Sequence, residues 1–168
     1  SGHTKAIVED KYKFESKNVL YLRNDHSLSS LDKSTLQDTE INKYELDQFE
    51  YDTKNSFLKG KNVKINTNIK SKKSDEYFFS EGFFDFKNKN FISKDTKIKV
   101  HKDIFDNKEH DPRIYGVSSS GDENKTIINK GYFTSCKIEG SCPDWSIQSS
   151  KITHDKKKKE LHYENAVL

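Results

Sequence analysis

The feature that most limits how this chain can fold is a repeated segment of alternating polarity. FEYDTKNSFLKGKNVKI (49–65) aligns without gaps on FDFKNKNFISKDTKIKV (84–100), a period of 35 residues. Phe49 matches Phe84, Tyr51 matches Phe86, Asn55 matches Asn90, Phe57 matches Ile92, Val63 matches Ile98 and Ile65 matches Val100. Apolar residues recur at every second position on either side of a run of Asn, Asp, Lys and Ser, so each copy reads as strand, polar turn, strand. A third copy, ITHDKKKKELHYENAVL (152–168), keeps Asp155 where the first has Asp52 and Asn165 where it has Asn62. A two-stranded hairpin is marginal alone in water, so the copies must stack to cover their apolar faces.

The same alternation runs through YKF (12–14) and LDQFEY (46–51). The segment nearest to a helical stripe, LSSLDKSTLQD (28–38), fits a hairpin equally well. The expected fold is all-β, antiparallel hairpins stacked into an elongated sandwich or solenoid, as a single domain over residues 1–168. Bulk composition argues the other way, since 31% of residues are hydrophobic and 34% charged, a balance typical of disorder. The twenty aromatics, eleven Phe, eight Tyr and one Trp, decide against disorder, because disordered segments lack them.

Charge excludes a nucleic-acid footprint: the net +3 is a small difference between 30 interleaved basic and 27 acidic residues. Lysines 70, 72 and 73 and the run 156–159 read as solvated hairpin tips rather than phosphate contacts. No apolar run approaches the roughly 18 to 20 residues of a membrane-spanning helix. The opening Ser-Gly reads as a cloning scar, and the ending ENAVL as a cut from something longer.

Catalysis finds no support. No phosphate-cradling glycine loop, nucleophile elbow or paired carboxylates occur, and HDPR (110–113) reads as a turn in which Arg113 partners Asp111. Neither a metal nor an organic cofactor is expected. Cys136 and Cys142 enclose five residues beside Gly140 and Pro143, so a local disulfide is geometrically feasible. A zinc site would need His154 and His162 at spacings foreign to zinc fingers, and a nucleophilic cysteine would need a base placed beside it. A disulfide, and hence an oxidising compartment, is the better expectation.

Packing accounts for most of the aromatics. If the layers of the sandwich splay apart, however, the inward residues Phe49, Tyr51, Val63, Ile65, Phe84, Phe86, Ile98 and Val100 line an apolar trough. An acyl chain there would gain about 0.8 kcal/mol per buried CH₂.

FTSC (133–136) followed by PDWSIQSSKITHDKKKKELHYENAVL (143–168) resembles the junction between periplasmic domain and barrel in the LptD family of lipopolysaccharide-assembly proteins. The shared pattern is a Cys, a Trp a few residues on, then W-x-I, I-x-H-D and Y-x-N-A. DPRIYG (111–116) is similar to the family's Asn-Asp-Pro-Arg segment, with His110 in place of the Asn. YKFESKNVLYL (12–22) is similar to the opening of its OstA-like domain.

The resemblance implies an OstA-like β-jellyroll, two antiparallel sheets forming an open V whose interior carries lipid A acyl chains. It further implies a non-enzymatic module on the periplasmic face of the outer membrane. Lipopolysaccharide would arrive from a periplasmic bridge protein docked by edge-strand addition and pass to a C-terminal barrel with its lipoprotein plug. Residues 133–168 would be the junction toward that barrel. Cys136 matches the family's motif cysteine, and it and Cys142 would pair with each other or with the barrel; Trp145 would close the sandwich as a core residue. The competing expectation is a structural or adhesive β-solenoid with a closed core and no lipid ligand.

Overall fold

The computed structural model describes residues 2–8, 12–39, 41–71, 73–102, 110–137 and 145–168. The chain is all-β. Its strands are β1 (His3–Val8), β2 (Tyr12–Lys17), β3 (Leu20–Leu22), β4 (Ser27–Ser30), β5 (Ser34–Gln37), β6 (Lys43–Leu46), β7 (Gln48–Asp52) and β8 (Phe57–Asn66). They continue with β9 (Glu76–Asp85), β10 (Asn90–Lys99), β11 (Arg113–Gly121), β12 (Lys125–Thr134), β13 (Ile147–Asp155) and β14 (Glu160–Glu164). All pair antiparallel in one open sheet, in the order β1-β2-β5-β6-β8-β9-β10-β11-β12-β13-β14. The sheet forks at β8: its first half pairs with β7, which continues through β4 to β3, and its second half pairs with β6.

The repeated hairpins owe their turns to an aspartate. Asp52 Oδ1 accepts the amides of Lys54 and Asn55, each at 2.9 Å, and Asp85 Oδ1 accepts that of Asn88 at 2.9 Å. Asp155 Oδ1 does the same for Lys158 at 3.1 Å. The chain then reverses through a left-handed residue, Ser56, Lys89 or Lys159, with φ of 60°, 55° and 58°. Asp52 and Asp85 are therefore structural equivalents, and they stand 33 residues apart rather than 35. The gapless alignment is displaced by two residues; because that displacement is even, the matched apolar pairs keep their faces, while Gly60 and Lys61 beside the bend fall opposite Asp95 and Thr96, which face the other way.

A second set of left-handed residues crosses the middle of the sheet: Asn18, Asn62, Asp95, Lys130 and Asn165, with φ between 47° and 53°. Four of the five are tied by their side chains to residues 14 or 15 positions away in sequence. Asn18 donates to Asp32 at 2.7 Å and Asn62 to Asp47 at 2.9 Å, Asp95 accepts from Ser80 at 2.6 Å, and Asn165 donates to Ser150 at 3.1 Å. Asn and Asp tolerate this conformation better than other side chains.

At each such residue the alternation slips by one. In β8, Leu58 and Gly60 point inward, Lys61 and Asn62 both outward, then Val63 and Ile65 inward again. β10 and β12 repeat the slip. The strands therefore bend along a shared line, and their two halves become two layers whose inner faces oppose each other. Gly60 and Gly82 lie opposite one another beside this line. A Cβ at Gly60 would come within 2.3 Å of Leu46, and one at Gly82 within 2.7 Å of the Phe84 ring, so these glycines make room for the interior side chains to cross the bend.

The interior contains Phe14, Leu36, Leu46, Phe49, Tyr51, Leu58 and Val63 at the forked end and Ile98, Ile114, Ile128, Phe133 and Ile152 toward the other. The layers do face each other: Lys156 Nζ lies 5.6 Å from the ring centre of Tyr77. Tyr77 is on β9 and Lys156 follows β13, four strands away, which in a flat sheet would be roughly 19 Å. Trp145 departs from expectation. It is 38% exposed and only leans on Phe133, ring centres 5.8 Å apart, because it precedes β13 and lies outside the paired strands.

Candidate ligand cavity

The layers do not fill the space between them. A cavity of about 400 Å³ opens between the tips of the β9–β10, β11–β12 and β13–β14 hairpins on one side and the ends of β6, β8 and β9 on the other. Its floor is aromatic. Tyr44, Tyr77 and Phe79 contribute from one layer, Phe84, Phe86 and Phe91 from the other, and Tyr12 from β2. Tyr12 stacks on Phe86 at 4.7 Å and Phe84 on Phe91 at 6.3 Å, while Tyr44 meets Phe84 edge-on at 6.1 Å. This lattice of rings holds the walls apart while leaving apolar faces toward the cavity.

The rim is polar. Asp38 accepts the amide and side-chain nitrogens of Asn42, each at 2.8 Å, and Lys89 pairs with Glu123 at 2.6 Å. Backbone amides of Asn124 and Lys125 hold the Asp122 carboxyl below the usual aspartate range, and the Asn88 amide does so for Asp85. Burial pushes the Tyr77 phenol well above the usual tyrosine range, and the neighbouring Asp75 adds to the effect.

Beyond Phe86 lies a nearly closed, wholly apolar cleft of only about 10 Å³, lined by Phe14, Leu28, Leu36, Phe49, Tyr51 and Leu58 among others. Of the residues expected from the sequence, Ile65, Phe84 and Phe86 thus line the cavity, and Phe49 and Tyr51 the cleft. Val63, Ile98 and Val100 are buried inward, as packing beside the bend and in the interior, and line neither space. Tyr12, Tyr44 and Tyr77 are wall residues that the sequence did not single out. Their signal is the inward phase of their strands, which is legible only once the slip at the bend is located.

At the far end, Arg113 is buried and donates to the carbonyl oxygens of Asp111, at 3.0 Å, and of Cys136. Thr134 Oγ1 donates to the Trp145 carbonyl at 2.8 Å, and Cys136 Sγ lies 3.8 Å from the same oxygen. Arg113 is therefore a tie between the DPR segment and the cysteine segment rather than only a turn partner. Cys142 lies outside the described residues, and with it the pairing expected for Cys136. No cluster of three or more His, Cys, Asp or Glu capable of holding a metal occurs among the described residues.

No protein-family model matches this chain, and no curated protein matches it in sequence.

Proposed function

We propose that this domain is a lipopolysaccharide-binding and transport module. It receives lipopolysaccharide from a periplasmic bridge protein and passes it to an outer-membrane barrel, without catalysis. The observation that carries this reading is the unfilled aromatic cavity between two layers of an open sheet. A cavity of this size and lining suits part of an apolar ligand, in the range of about 300–1,000 Å³ common for small-molecule sites. A solenoid with a closed core would have packed that volume with side chains, so the cavity favours the lipid reading over the structural or adhesive one.

Two further features fit. β1 and β14 end the sheet, each paired on one side, and could take up a strand from a bridge protein of similar architecture. The motif around Cys136 and Trp145 is where the resemblance to the LptD junction is concentrated, and it is the ground for proposing a position at the periplasmic face of the outer membrane. Phe86 sits in a turn at the cavity wall and is only half-buried, so Phe86→Arg puts a charge at the wall, at the cost of the ring contacts with Tyr12 and Tyr44. Lipopolysaccharide affinity of the whole chain should fall at least about tenfold in this variant. Unchanged affinity in a folded variant would count against the cavity as the site.

A further inference from the structure

Of the four consecutive lysines 156–159, the last three are exposed and the first turns inward. The Lys156 amide donates to the Asn124 carbonyl at 2.8 Å, which fixes the β13–β14 turn against the β11–β12 turn and aims the side chain between the layers. Its Nζ contacts the Asp122 carbonyl oxygen at 3.4 Å and lies over the Tyr77 ring, and the side chain lines the cavity.

The carboxylates at this rim are already engaged: Asp38 with Asn42, Asp85 with Asn88, Asp122 with the amides of Asn124 and Lys125, and Glu123 with Lys89. Among the described residues, no carboxylate lies within ion-pair distance of Lys156 Nζ, so a three-donor cation faces an aromatic cavity with a single long hydrogen bond. Behind it, Thr126 Oγ1 and His154 Nδ1 are buried and make no hydrogen bond among the described residues. Thr126 is close enough to the Tyr77 phenol to act on its ionisation, but lies off hydrogen-bonding geometry. Neither of these two lines the cavity; the group that faces it with donors unused is Lys156, and a cation so placed is costly unless an anion meets it.

We propose that Lys156 anchors the head group of the ligand. Its ammonium pairs with an anionic head, a phosphate or a carboxylate, of an amphiphile whose chain lies against Phe79, Phe84 and Phe91. The inference rests on the reading of the cavity as a lipid site and adds to it the orientation and charge of the ligand. Burial holds the Lys156 ammonium below the ordinary lysine range, with Asp75, Asp122 and Glu123 acting in the opposite sense. A bound anion would relieve that cost through charge-assisted hydrogen bonds.

The test is equilibrium binding of three amphiphiles of equal chain length to the whole chain: dodecyl phosphate, dodecanoate and dodecyl maltoside. The two anions should bind about tenfold or more tighter than the maltoside, and the order between them reports which head group fits. Lys156→Met should abolish that preference and leave maltoside affinity unchanged, Lys156→Arg should keep it, and Lys157→Met should have no effect. An anion preference that survives in Lys156→Met, or wild-type chain that binds all three equally, overturns the role of Lys156 while leaving the cavity reading intact. Failure of all three to bind overturns both.

Discussion

Asn62 has φ of 47° in the middle of a ten-residue strand, and its side chain donates to Asp47, the residue between β6 and β7. Left-handed geometry costs an ordinary L-residue roughly 1–2 kcal/mol, and β-branched side chains tolerate it least. Asn62→Val should therefore lower the melting temperature by about 2–8 °C, and Asn62→Gly should stay much closer to wild type, as thermal unfolding will check. Another residue sets the response to acid. Burial holds the His154 imidazole below its ordinary value of 6.5, against Asp75 and Asp155, which favour its protonated form, while Lys156 and His101 oppose it. The unfolded chain then takes up a proton that the folded one resists, so this contribution is fully present above pH 6.5 and is lost as pH falls toward the folded-state value. Melting temperature should decline over that window in wild type and less in His154→Gln; equal slopes would exclude His154 as the cause. The carboxyls that cap the turns, Asp52, Asp85 and Asp155, titrate only at lower pH, since hydrogen bonds from Asn55, Asn88 and Lys158 depress them.

At the scale of the element, strand and turn were legible in the sequence because each hairpin carries its own signals. Alternation marks the strands, and a run of Asn, Asp, Lys and Ser marks each turn. The bend was not legible. A strict period of two places Gly60 and Val63 on opposite faces, whereas both point inward, since one left-handed residue between them rotates the strand. The motif was nevertheless present: Ser-Lys-Asn-Val at 16–19, Gly-Lys-Asn-Val at 60–63 and Ser-Lys-Asp-Thr at 93–96 all place a small inward residue two positions before the left-handed one. The 35-residue alignment passed over it by matching apolar residues instead of these four-residue motifs. The bend also makes a packing prediction. Gly60→Ala would push a methyl group into Leu46 Cδ2, 2.3 Å from where the new Cβ must sit, and should destabilise the domain by about 1–3 kcal/mol in denaturant unfolding. Leu46→Ala in the same background should recover part of that loss by vacating the contact, so the two changes will be non-additive.

Across the whole molecule, the bends convert one long antiparallel sheet into two facing layers that remain open at the hairpin tips. Part of the cavity could be anticipated from the sequence, because Ile65, Phe84 and Phe86 belong to the repeated hairpins. Tyr12, Tyr77 and Lys156 could not, because they reach the cavity only through contacts between strands distant in the sheet, such as Lys156 over Tyr77. The central claim is that lipid occupies the space between the layers and not the outer surface. Phe83 and Phe84 are neighbours on β9 that face opposite ways, Phe83 49% exposed and Phe84 buried against the cavity, so they form an internal control. A photocrosslinking phenylalanine analogue should therefore be placed singly at positions 83, 84, 86 and 92 and irradiated with lipopolysaccharide. Adducts from 84 and 86, with none from 83 or the outward 92, are the predicted result; adducts only from 83 and 92, or from no inward position, would contradict the account.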